Sequence, residues 1–177
     1  ASMADIFEAH PEPEVRARQD AIRAELWALV PSLTSLDLLL LTKRPQNVRE
    51  MVPAAWMADG FPRNIWLGTT CEDQQRADER VPHLLGCPAA VRWVSYEPAL
   101  GPIDFRYSAF NGADSFGQMA GLHWVVVGGE SGGGARPFDV AWARATVQAC
   151  RSAGVAAFVK QLGAKPYEGN GVTGRLR

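Results

Sequence analysis

Five short apolar runs punctuate the chain, and charged residues stand at or just beyond the carboxyl end of each. They are LDLLLL (36–41), NIWLGT (64–69), AVRWVS (90–95), HWVVVG (123–128) and AAFVKQ (156–161). Most are continuous rather than alternating, the pattern of strands covered on both faces. The stretches between them carry helical spacing. Residues 13–30 set Val15, Ile22, Leu26 and Leu29 near one face, and Pro31 stops the pattern. Residues 46–58 do the same with Val48, Val52, Ala55 and Trp56, and Pro53 is expected to kink or split that helix. Asp73 can cap a segment containing Ala77, Val81, Leu84 and Leu85, interrupted by Pro82. Asp139 can cap VAWARATVQACRSA, which ends at Gly154.

Strand and helix in alternation predict an α/β fold with a parallel sheet and right-handed crossovers. A closed barrel of this type needs eight strands and typically ~250 residues. With about five parallel strands in 177 residues, the expectation is a partial TIM-like (β/α) barrel. An open doubly wound parallel sheet is the alternative. Residues 1–163 read as a single α/β domain and 164–177 as a Gly-rich, poorly ordered tail, with an irregular polar insertion at 106–122.

Composition narrows the function classes. The chain is 47% hydrophobic and 21% charged, with a net charge of -1, an ordinary globular balance. Near-neutrality argues against a dedicated nucleic-acid surface, which needs a basic stripe, and leaves room for phosphate contacts from local arginines. No apolar run approaches the ~18 residues of a membrane span, and ASMADIFEAH lacks the features of a signal peptide. Cys71, Cys87 and Cys150 are odd in number and far apart, so they read as reduced thiols of a cytoplasmic protein. Their spacing supports neither a zinc nor an iron–sulfur site.

In parallel α/β folds, ligands sit beyond the carboxyl ends of the strands. Lys43 and Arg44 follow the first run, Glu72 the second, Glu97 the third and Glu130 the fourth, while the last closes on Lys160 and Gln161. Lys43, Glu72, Glu97, Glu130 and Lys160 are therefore the candidate catalytic residues. Arg44, Gly128, Gly129, Ser131, Arg136 and Gln161 are the candidate ligand-binding residues. Each charge taken singly is more simply a solvated or structural ion pair. A mutually neutralising network explains the set without catalysis.

GGESGGGAR (128–136) fits neither G-x-G-x-x-G nor a loop ending in G-K-[ST], so no cofactor can be read from it. Such a loop still holds anions through backbone N–H groups, with Arg136 as charged partner. A flexible turn is the equal alternative. Glu72, Glu97 and Glu130 could instead hold Mg²⁺, although salt bridges to Lys43, Arg44 and Lys160 are the favoured reading. His10, His83 and His123 share no spacing, and the six tryptophans read as core.

The blocks LLLLTKRPQNV, IWLGTTCEDQQRADERVPHLL, AVRWVSYEPALGPIDF, WVVVGGESGGGARP and GVAAFVKQLG, spanning Leu38 to Gly163 in order, resemble those of the phage gene-product thirty-seven/sixty-eight family. SMADIF resembles a preceding block. The resemblance implies a phage-related protein with a TIM-like barrel akin to radical S-adenosylmethionine enzymes. Members of that family typically begin with three closely spaced cysteines, the proposed ligands of an iron–sulfur cluster. That segment is absent from this sequence, so the chain reads as a fragment or a shortened member that does not bind such a cluster alone. Gly128, Gly129 and Glu130 resemble a tripeptide of radical enzymes, but they follow a late strand rather than an early one, and no role is carried over.

Two function classes follow. One is part of a radical-enzyme-like barrel acting on a nucleotide or nucleic-acid-derived substrate. The other is a non-catalytic module holding a phosphate or another anionic small molecule. Open sheet edges favour pairing with a second chain, so a homodimer, or a swapped assembly that completes the core, is expected.

Overall fold

The computed structural model describes residues 5–105, 119 and 121–169. Most of the insertion read at 106–122 lies outside the described residues, but Met119 and Leu122 are buried.

The element order follows the apolar runs. Helix α1 (Pro13–Leu29) leads through a 3-10 turn to β1 (Leu38–Thr42), and α2 (Val48–Met51) and α3 (Ala54–Asp59) come next. Then β2 (Ile65–Thr70), α4 (Gln74–Leu85), β3 (Val91–Tyr96) and β4 (Trp124–Gly128) follow. The chain continues with β5 (Phe138–Asp139), α5 (Val140–Ala153), β6 (Ala156–Gln161) and β7 (Pro166–Tyr167). Five strands make one sheet in the order β1-β2-β3-β4-β6, every pair parallel. The expected α/β class with a five-stranded parallel sheet is thus observed. β5 and β7 pair separately, so Pro166 and Tyr167, at the start of the Gly-rich tail, lie beside Phe138 and Asp139.

Register assigns the two faces. Leu38, Leu40, Ile65, Leu67, Val94 and Tyr96 alternate onto one face. They join Val48, Ala77, Val81, Leu84 and Cys150 of the helices in one core. The other face carries Leu39, Trp66, Trp93, Trp124, Val126 and Phe158. The Trp93 and Trp124 rings lie 5.4 Å apart, and Trp66 and Trp124 meet edge to face at 6.2 Å. These tryptophans stand apart from the helix-covered core in which they were expected.

Two helices depart from the spacing. Pro53 splits the second helical stretch as expected and stands as N-cap of α3. Pro82 does not interrupt α4, which runs on to Leu85. It falls in the last turn, where proline removes one intrahelical bond near an end that would fray anyway. In α1 the face marked by Ile22 and Leu29 is exposed, while Arg23 is only 4% exposed. Hydrogen bonding decides this. Arg23 donates from Nε to the Ile6 carbonyl at 3.0 Å and from Nη1 to Asp20 at 2.6 Å. Trp27 donates to the Met51 carbonyl at 2.8 Å, which turns the Arg23–Trp27 face inward.

Candidate functional site

Because all five strands run the same way, their carboxyl ends share one edge, and the segments leaving them cross each other there. Residues 97–100 are pinned over the edge: Ala99 N–H donates to the Gly128 carbonyl at 2.9 Å and Leu100 N–H to the Glu72 carbonyl at 2.8 Å. They wall an open cleft of about 500 Å³ lined by Lys43, Glu72, Asp73, Arg76, Pro98, Leu100, Glu130 and Arg136. A larger groove along α4 adjoins it and shares Lys43 and Arg76.

The acids in the cleft are all engaged. Glu72 Oε1 faces Lys43 Nζ at 3.1 Å and its Oε2 accepts from Arg80 Nη1 at 2.9 Å. Arg80 also donates to the Thr70 carbonyl at 2.7 Å, locking the pair to the end of β2. Asp73 caps α4 by accepting from Arg76 N–H at 2.9 Å. Glu130 accepts from Arg136 three times, from the backbone N–H at 2.9 Å and from Nε and Nη2 at 2.8 Å each. These hydrogen bonds hold the Glu130 carboxyl at about 2, well below its ordinary value.

The glycine-rich loop is therefore wrapped around an anion of its own. Arg136, expected to partner an external anion, holds Glu130. Gly129 serves close packing: its N–H donates to the Gln161 carbonyl at 3.0 Å, and an added Cβ would stand 2.5 Å from the Leu162 carbonyl oxygen. Ser131 lies exposed in the loop.

The other expected residues separate from the cleft. Glu97 accepts from Lys160 Nζ at 3.0 Å and Gln161 Nε2 at 2.9 Å. This group sits over Gly128, where a Cβ would meet the Glu97 carboxyl at 2.9 Å. Arg44 turns toward the amino-terminal segment, pairing with Asp5 at 3.1 Å and Glu8 at 3.0 Å. Lys43, Glu72, Glu130 and Arg136 thus come together, Glu97, Lys160, Gln161 and Gly128 form a second cluster, and Arg44 belongs to neither. Asp73, Arg76, Arg80, Pro98 and Leu100 were not read as site residues. The signal for the two arginines was their position on the first turns of a helix that follows a strand end.

Glu72 and Glu130 share the cleft while Glu97 lies in the second cluster, and each is paired with cations of its own, so the three do not form the site that the Mg²⁺ reading required. No group of three His, Cys, Asp or Glu side chains able to hold a metal occurs among the described residues. An iron–sulfur cluster does not fit these cysteines either: Cys71, Cys87 and Cys150 are free and buried. Burial pushes the Cys71 thiol far up, and Cys87 and Cys150 up to about 11. No helix is long and apolar enough to cross a membrane among the described residues.

Comparison with curated proteins gives no match, nor does comparison with solved structures. The family described as "Protein of unknown function (DUF5131)" matches residues 1–175. With nearly the whole length matched, from the amino-terminal segment that binds Arg44 to the tail beyond β7, the chain belongs to the DUF5131 family.

Proposed function

We propose that the cleft at the strand ends binds an anionic small molecule, a nucleotide or another phosphate-bearing ligand, in a partial (β/α) barrel. One observation carries this reading: both oxygens of Glu72 and of Glu130 accept from cations, while Lys43 and Arg136 keep donors beyond those bonds; Asp73 caps α4 and Arg76 pairs with Glu79. Three acids and three cations line it, so formal charge alone favours neither sign. Both Glu72 oxygens are occupied and its side chain is 13% exposed, whereas Lys43 is 56% exposed and makes a single ion pair. Arg136 uses Nε and Nη2 for Glu130, and its side chain is 56% exposed, so Nη1 remains for a further acceptor. The hydrogen-bonding capacity left over is donor capacity, which suits phosphate or carboxylate oxygens. Pro98 and Leu100 supply an apolar wall for a sugar or base.

The strand order supports the barrel. A doubly wound sheet reverses its order at a switch point, while here each successive strand of the main sheet joins the same growing edge. The phage-related, radical-enzyme resemblance enters this proposal through that barrel alone, because the cysteines present do not supply a cluster. Binding is the function that the remaining donors support.

Calorimetry with inorganic phosphate, ATP and S-adenosylmethionine tests the reading. At least one should bind, and Lys43→Ala should weaken it about tenfold, the loss of one charge-assisted hydrogen bond of ~1.5 kcal/mol. Glu97→Gln should leave it unchanged. If all three probes give no heat at roughly millimolar concentration, the proposal fails.

A further inference from the structure

One face of the sheet lies outside the helix-covered core, with Trp93 and Val126 buried at its centre, and both sheet edges lack a strand partner among the described residues. β1 pairs only with β2, and β6 only with β4. Among the large apolar side chains left exposed, Leu39 and Leu41 lie on edge strand β1 and Phe158 and Val159 on edge strand β6. Ile22, Leu29, Leu36, Leu39 and Leu41 belong to the α1–β1 side, and Phe158, Val159 and Tyr167 to the β6–β7 side. Leu39 is 45% and Phe158 52% exposed, and between them lie the tryptophans. Within the strands, the one charged residue on this face is Lys160, already paired with Glu97 at 3.0 Å.

We propose that a second copy of this chain covers this surface, joined β1 edge to β6 edge twice about a two-fold axis. Ten parallel strands then close around the tryptophans. An axis along the strands preserves their direction, so β1 of one copy lies parallel to β6 of the other, and the reciprocal pair forms opposite. The assembly closes rather than polymerising. The free backbone groups of both edge strands gain partners, and the exposed Ile22–Leu29 stripe of α1 comes against the β6–β7 side of the other copy. On the sheet face itself the strands bring no unpaired charge into the contact, which would otherwise oppose it. Five strands at ~4.8 Å and five or six residues at ~3.3 Å give a face of roughly 24 by 18 Å. That is about half of the ~800 Å² per partner of stable interfaces, and the two strand edges and the α1 stripe must supply the remainder.

The inference rests on the barrel reading of the sheet and is independent of the anion reading of the cleft. Sedimentation or light scattering on the 177-residue chain from about 1 to 100 μM tests it. The mass should be twice that of the chain. Leu39→Lys and Phe158→Glu should each weaken association on the order of 100-fold, because each spoils both contacts. Mixed in equal amounts they should associate again, with one contact native and the other pairing Lys with Glu. A thermal melt checks that each variant is folded, and Leu41→Lys replaces Leu39→Lys if that one is not. A monomeric wild type, a Phe158→Glu dimer, or a mixture that stays monomeric overturns the assembly. A monomer that binds phosphate leaves the cleft reading standing, and a dimer that binds no anion leaves the assembly standing.

Discussion

Glu130 and Arg136 show how a residue-scale arrangement departs from its sequence neighbourhood. The five intervening positions form a glycine-rich loop, and the chain closes it with three hydrogen bonds onto one carboxylate. Because the folded carboxyl lies near 2 rather than at its ordinary 4.5, the pair stabilises the loop above about pH 4.5. That stabilisation fades as the pH falls toward about 2. Removing the guanidinium by Arg136→Ala should return the Glu130 carboxyl most of the way to the ordinary range, read by carbon NMR titration. An unchanged titration would mean that the two groups are apart in solution. The sequence made Glu130 a candidate through its place after a strand. It could not reveal that Arg136 was its partner, because a loop with five glycines among nine residues (128–136) can close in many ways.

Elements were the most legible scale. All five strands of the main sheet lie within two residues of the apolar runs, and both aspartate caps are in place. The cap on α5 has a second duty. Asp139 Oδ1 accepts from Ala141 N–H at 2.9 Å and from Gly169 N–H at 3.3 Å, tying the helix start to the end of the β5–β7 ribbon. Asp139→Ala should therefore cost ~1–2 kcal/mol in urea unfolding, and Asp139→Asn much less. Equal losses for both would place the effect elsewhere than in the cap. The errors at this scale share a cause. Spacing assigned the inward face of α1 by counting apolar residues, but a buried arginine with carbonyl partners outweighed two leucine-sized side chains. Pro82 was read without its distance from the helix end, which sets its cost.

At the scale of the whole molecule, the helix-covered face holds the packed core and all three cysteines, each buried and unpaired. Burial raises every thiol, so little thiolate exists near pH 8 and access requires opening of the core. The native protein should react slowly with a thiol reagent, and all three sites should react together after denaturation. Prompt reaction of one thiol in the native state would show that the core opens locally around it.

The amino-acid order alone determined the kinds of element, their succession and the common direction of the strands, because periodicity, caps and turn residues act over a few neighbouring positions. Only the tertiary structure decided which charges meet. Glu97 finds Lys160 across 63 positions and Arg44 finds Asp5 across 39. Such partnerships depend on strand register and on which loop crosses the sheet edge, quantities set by the packing of the entire fold. The same packing left one sheet face rich in tryptophan outside the helix-covered core, although its residues read locally like any other buried strand.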